Sequence, residues 1–87
     1  MERCNVARLL TEAEARGMMT PCRVWVQMKQ HGIVYAPVGM EATQVTKSNG
    51  NMVLMFGGSG LLLNDYGQTW RVWDEKPTPA DQKRAGW

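Results

Sequence analysis

The side chains in this sequence that could carry out chemistry are few and widely spaced. His31 is the only histidine, and it sits beside Lys29, Gln30 and Gly32 in a turn-forming stretch. A general base needs a nucleophile and an orienting partner within hydrogen-bond reach, and nothing near His31 supplies either. Ser48 and Ser59 lie next to Asn49 and between glycines, without the strand-to-helix pattern of a nucleophile elbow. Glu12 and Glu14 fall on a solvated helix face and Asp74-Glu75 at a strand end, so no acid–base pair emerges. The expectation is no catalytic residue and no enzyme. The run Gly57-Gly58-Ser59-Gly60 would cradle a phosphate only if Lys-Ser or Lys-Thr followed the last glycine, or if a helix did. Leu61 and Leu62 follow instead, and the run reads as a flexible connection between strands.

Soft metal ligands number three: Cys4, Cys22 and His31. Zinc would need a fourth group, and the close C-x₂-C spacing of structural sites is missing. Cys4 opens and Cys22 follows a helix expected to be about 18 Å long, so the site closes only if that helix is shorter or bent. Zinc is the minority reading, and no cofactor is expected. Two cysteines fall short of the roughly four to eight of a secreted disulfide scaffold. With no leader pattern and no apolar run of about 18 residues, the chain is expected to be cytoplasmic, reduced and free of membrane.

The elements that must position any site follow from periodicity. Val6, Leu9, Leu10 and Ala13 make a helical stripe, predicting a helix over 5–16 with Asn5 as N-cap and Gly17 beyond its end; Thr11 with Glu14 offers a competing start as a capping box. After Pro21 the period becomes two. Residues 23–28 read as a strand, with Val24, Val26 and Met28 on one face and Trp25 on the other. His31-Gly32 turns the chain, 33–38 returns with Pro37 marking a sheet edge, Gly39 opens another turn, and 41–48 alternates. Asn49-Gly50 fits a type I′ hairpin, setting Ser48 opposite Asn51, Lys47 opposite Met52, Val45 opposite Leu54 and Thr43 opposite Phe56. Leu61–Leu63 is a short buried strand and 68–74 the last one, with Trp70 and Val72 on one face and Arg71 and Trp73 on the other. Thr78, Pro79 and Asp81 mark a short C-terminal helical turn, and Trp87 folds back onto the body.

These elements predict one small α+β domain spanning 1–87. An N-terminal helix packs on a bent antiparallel sheet of five or six strands, bent enough to approach a barrel. With 87 residues, such a domain buries only about 60–65% of its unfolded surface, which leaves little for a deep cavity. Four tryptophans supply large buried areas that let a thin core hold. Ten basic against eight acidic residues leave a net charge of +2, too little for binding driven by phosphate contacts and too basic for a nucleic-acid mimic. Trp25 and Trp73 fall opposite the expected core beside Arg23 and Arg71, and tryptophan with arginine is typical of interface hot spots. The candidate partner-binding set is therefore Arg23, Trp25, Lys29, Lys47, Arg71 and Trp73. The alternative is that both sheet faces are buried and the arginine stacks for stability alone.

One stretch carries a resemblance. Tyr66-Gly67-Gln68-Thr69-Trp70-Arg71-Val72-Trp73, followed by Lys76-Pro77-Thr78, a charged turn over 81–84 and Trp87, resembles the tail of short accessory proteins from phages and mobile elements of Firmicutes. It covers about a quarter of the chain, and the mid-chain strands are outside it. Proteins of that kind without catalytic motifs are commonly inhibitors of host machinery, with anti-CRISPR proteins a prominent class. The resemblance implies a phage inhibitor of a host defence machine, with a type II CRISPR effector nuclease as the specific partner expected, acting by direct docking in the host cytoplasm. The other readings are a small nucleic-acid-binding module that stacks bases on the Arg/Trp face, and a structural or regulatory subunit of a phage.

Overall fold

A computed structural model describes residues 7–87. Alternation builds β1 (Cys22–Gln30), β2 (Ile33–Val34), β3 (Val38–Ala42), β4 (Gln44–Ser48), β5 (Asn51–Phe56), β6 (Ser59–Leu62) and β7 (Trp70–Trp73). The helices are α1 (Glu12–Arg16) and α2 (Pro79–Ala85), with a 3₁₀ turn at Leu63–Asp65. The fold is α+β, as expected, but the described residues form seven strands in two antiparallel sheets rather than one of five or six, and these do not close into a barrel.

In the first sheet β1 is central. β7 pairs along one edge (Trp25 opposite Trp73, Gln27 opposite Arg71), and β2 and β3 run along the other. The register there shifts by one residue, from Lys29–Val34 to Val26–Val38. Tyr35-Ala36-Pro37 thus holds one residue more than the strand it faces, a bulge that suits a proline without an N–H. This splits the predicted 33–38 strand. Gly39 does not turn the chain: it lies within β3 opposite Trp25. An added Cβ there would lie 3.4 Å from the Trp25 ring, so glycine leaves the indole room.

Thr43 divides the predicted 41–48 strand. β3 pairs with β1, the chain bends, and β4 pairs with β5. The Asn49-Gly50 hairpin has the expected register at Ser48–Asn51, Lys47–Met52 and Val45–Leu54. Positive φ at Asn49 (54°) and Gly50 (82°) is what the type I′ turn requires. Thr43 falls just outside the ladder. Its N–H donates to the Met55 carbonyl at 2.8 Å and its Oγ1 accepts from the Gly57 amide at 3.1 Å. The glycine run is not a loose connection. Gly57-Gly58 is a two-residue turn, and Ser59-Gly60 already belongs to β6. A Cβ on Gly60 would approach Val53 and Met55 to 2.7 Å, so close side-chain packing requires glycine there.

The expected N-terminal helix is the main departure. Asn5 and Val6 lie outside the described residues, and among the described ones this helix begins at Glu12, behind the Thr11–Glu14 capping box. Residues 8–10 are extended and cover the outer edge of β7. The Leu10 N–H donates to the Val72 carbonyl at 3.0 Å, and the Asp74 N–H donates to Arg8 at 3.1 Å. An exposed sheet edge leaves backbone groups unpaired, and satisfying it outweighs an apolar stripe of helical period. Gly17 ends α1 at φ −99° rather than in the left-handed region. The C-terminal prediction holds: Thr78 caps α2, Pro79 opens it and Asp81 completes the box.

The core lies between the sheets. Val24, Val26, Leu54, Phe56, Trp70 and Val72 are buried there, with α1 contributing Ala15 and the 3₁₀ turn Leu63. α2 packs on the opposite face of the first sheet through Gln82, whose Oε1 accepts from the Gln27 amide at 2.9 Å.

Candidate binding surfaces on the two faces of the first sheet

Strand alternation puts Arg23, Trp25, Gln27 and Lys29 on one face of β1, and pairing adds Arg71 and Trp73. Apart from Lys47, which is exposed near the far hairpin, the predicted partner-binding residues therefore share a face. That face is not free. Arg71 is 3% and Trp73 2% exposed, so neither can meet a partner while α2 is in place. Only Arg23 stays exposed, while Trp25 and Lys29 are half-buried. The Lys76 ammonium lies 5.7 Å from the Trp25 ring, and that of Lys29 5.7 Å from the Trp87 ring.

What joins this face is Gln27, fully buried, a residue that no local sequence signal marks. Its Oε1 accepts from Arg71 Nε at 3.0 Å and Trp73 Nε1 at 3.1 Å, while its Nε2 donates to the Tyr35 carbonyl at 3.1 Å and to Gln82 Oε1 at 2.9 Å. A primary amide offers two acceptor and two donor sites, and all are used. Arg71 also donates through Nη1 to the Gly86 carbonyl at 2.6 Å. Its guanidinium lies 4.4 Å from the Trp87 ring and 5.1 Å from Trp73. No carboxylate among the described residues pairs with it. Burial pulls the Arg71 guanidinium below its ordinary pKa, and π faces with neutral acceptors take the place of a counter-ion.

The Tyr-Gly-x-Thr-Trp-Arg-x-Trp run that carries the resemblance has structural duties throughout. Tyr66 Oη donates to the Leu10 carbonyl at 2.6 Å and accepts from the Val72 N–H at 3.1 Å. Burial pushes its hydroxyl pKa up. Gly67 turns at φ 86°, Trp70 Nε1 donates to the Leu62 carbonyl at 2.8 Å, and Trp87 Nε1 reaches the Gly67 carbonyl at 2.8 Å.

The other face of the first sheet is open over part of its length. Where the β5–β6 hairpin stops short of covering it, a groove of about 590 Å³ remains, walled by Met28, Val38, Met40, Phe56 and Leu61 with Tyr35 at its rim. Among the described residues no charged side chain lines it. Its surroundings stay apolar at the surface: Ile33 is 56%, Tyr35 47% and Val38 57% exposed. The volume is in the range of ligand sites, and contiguous exposed apolar surface marks interaction sites. One signal for it stood in the sequence, Pro37 as an edge marker.

The zinc trio is not brought together. Cys22 begins β1 and His31 follows its end, a separation of about 30 Å along an extended strand, so one ion cannot take both; Cys4 lies outside the described residues. Burial, then the nearby Glu41, raises the Cys22 thiol pKa. Among the described residues no group of three metal-ligating side chains is gathered, and no helix is long and apolar enough to cross a membrane. No family model matches this chain, and comparison with curated proteins and with solved structures gives no match.

Proposed function

We propose that this chain is a non-enzymatic protein-binding domain encoded by a phage or mobile element. In this reading it inhibits a host defence machine by direct docking in the host cytoplasm, with a type II CRISPR effector nuclease as the specific target. The observation that supports binding is the uncharged groove between the first sheet and the β5–β6 hairpin, continuous with exposed Ile33, Tyr35 and Val38. A domain this small has little apolar area to spare, and leaving it at the surface fits a face that a partner covers. The target class rests on the resemblance of the Tyr66–Trp73 run alone. A net charge of +2 favours docking on protein over mimicry of nucleic acid.

The test is co-purification of the tagged chain with a panel of type II effectors, alongside guide-directed DNA cleavage with and without it. The proposal expects a stoichiometric complex and slowed cleavage with at least one effector. Unimpaired cleavage and no complex across the panel would remove the target, and a salt-sensitive gel shift with nucleic acid alone would favour the nucleic-acid-binding module instead.

A further inference from the structure

We infer that the groove receives an extended peptide segment of the partner, which pairs as an added strand with the outer edge of β3. This rests on the protein-binding reading above and specifies the partner's chemistry. The Met28 carbonyl accepts the Tyr35 N–H at 2.9 Å on one edge of β1, and the Lys29 N–H donates to Thr69 at 2.8 Å on the other. Backbone groups alternate in direction along an antiparallel strand, so Val24 and Val26 turn theirs towards Met40 and Val38, their partners on β3. The N–H and C=O groups of Gly39 and Glu41 consequently point away from β1. From Thr43 onward that same outward edge is taken by β5, beginning with the Thr43–Met55 hydrogen bond. Beyond Phe56 the chain turns off at Gly57-Gly58, and among the described residues none takes the outward groups of Gly39 or Glu41. One continuous bent strand is thus paired along half of its outer edge and unpaired along the rest.

The unpaired half borders the groove. A strand added there would sit about 4.8 Å from β3, between β3 and the β5–β6 hairpin. Every second side chain would point to the same side as Val38 and Met40, into the uncharged lining that Phe56 and Leu61 complete. Main-chain pairing for affinity and pockets for alternate side chains are what strand addition requires. The opposite edge of the sheet is sealed by residues 8–10. Sheets usually guard a free edge with proline, a bulge or a charge, and here Pro37 with the bulge and exposed Glu41 bracket a stretch with nothing between them but Val38, Gly39 and Met40.

The probe is a capped eight-residue peptide alternating leucine or valine with threonine and lysine, titrated into the full chain and followed by two-dimensional amide NMR. Saturable shifts at the Gly39 and Glu41 amides and at the Val38 and Met40 methyls are expected. N-methylation of the peptide nitrogens facing β3 should weaken binding about tenfold or more. Glu41→Pro removes an outward N–H without touching the ladder to β1 and should weaken binding to a similar extent. Val38→Lys, at an exposed position, should abolish it while leaving the spectrum folded. No shift at millimolar peptide, shifts elsewhere, or N-methylated peptide bound as tightly as its parent would overturn the assignment. Should an effector still co-purify with Glu41→Pro at unchanged affinity, the protein-binding reading would survive and the strand-addition site would fall.

Discussion

The two faces of β1 are built by one alternating strand, yet they end in opposite conditions. The face bearing Arg23, Trp25 and Gln27 carries the polar and aromatic residues that suggest a contact surface, and over Gln27, Arg71 and Trp73 it is sealed beneath α2. The face bearing Val24, Val26 and Met28 has the apolar residues of a core, and it remains open where the second sheet ends. Residue type sorted side chains correctly between faces, but which face was covered depended on two elements elsewhere in the chain. One is a seven-residue helix that brings its own polar partner, Gln82. The other is a hairpin that turns back at Gly57-Gly58, too early to roof the sheet.

The sealed face is the one that breaks most sharply. Gln27→Leu strips Arg71 Nε and Trp73 Nε1 of their acceptor and the Tyr35 carbonyl of a donor, all in a buried setting. Unsatisfied buried groups cost about 1–3 kcal/mol each, more when one is charged. A loss of about 3 kcal/mol or more in urea unfolding is therefore expected, a severe fraction of the stability of a small domain. An unchanged midpoint would show that the amide merely fills space.

Loosening the helix that seals this face should cost less. Thr78→Ala removes the side-chain acceptor of the Asp81 N–H (3.0 Å), an effect of about 1 kcal/mol, and Trp87 fluorescence should report exposure of the layer at lower denaturant. Acid should act on the same element. The Thr78 backbone N–H, then its hydroxyl and the Arg84 guanidinium, hold the Asp81 carboxyl below its ordinary pKa. Glu14 is held down in the same way by the Thr11 amide and Arg8. A carboxylate depressed in the folded state contributes stability that is complete above its unfolded pKa and is lost as pH falls through the folded one. Thermal stability should thus decline as pH drops below the ordinary carboxylate range, and Asp81→Asn should flatten part of that decline. An acid profile identical to the parent's would remove Asp81 from the account.

How far the sequence could be read depended on how local each determinant was. The Asn49-Gly50 hairpin, the Thr78–Asp81 cap and the alternation of β1 each lie within a few residues, and each was legible with register or position intact. The segment 7–11 was not, because its conformation is decided by the bare edge of β7 some sixty residues away. Neither was the bend at Thr43, which depends on β5 presenting Met55 to pair with it. At the site, Pro37 marked a sheet edge. Gln27, by contrast, looks like any polar residue on the exposed side of a strand. Its role appears only once Arg71, Trp73 and Gln82 arrive from other elements.

The smallest stability effect belongs to the open face, and it sharpens the contrast most directly. Val38 is 57% exposed and sits at the mouth of the groove on β3, where it makes no side-chain hydrogen bond and fills no enclosed space. Val38→Lys should shift stability by no more than about 0.5 kcal/mol, the usual range for surface positions, since the lysine stem can lie along the apolar wall with its ammonium in water. Gln27→Leu, next to Val38's ladder partner Val26 and on the other face, is by comparison an interior change. If Val38→Lys instead cost as much as Gln27→Leu, the groove would have to be closed in solution and its apolar wall would be core. A near-neutral result would mean that Val38 is kept apolar at the surface without any return in folding stability, which is the condition expected of a residue retained for contact with a partner.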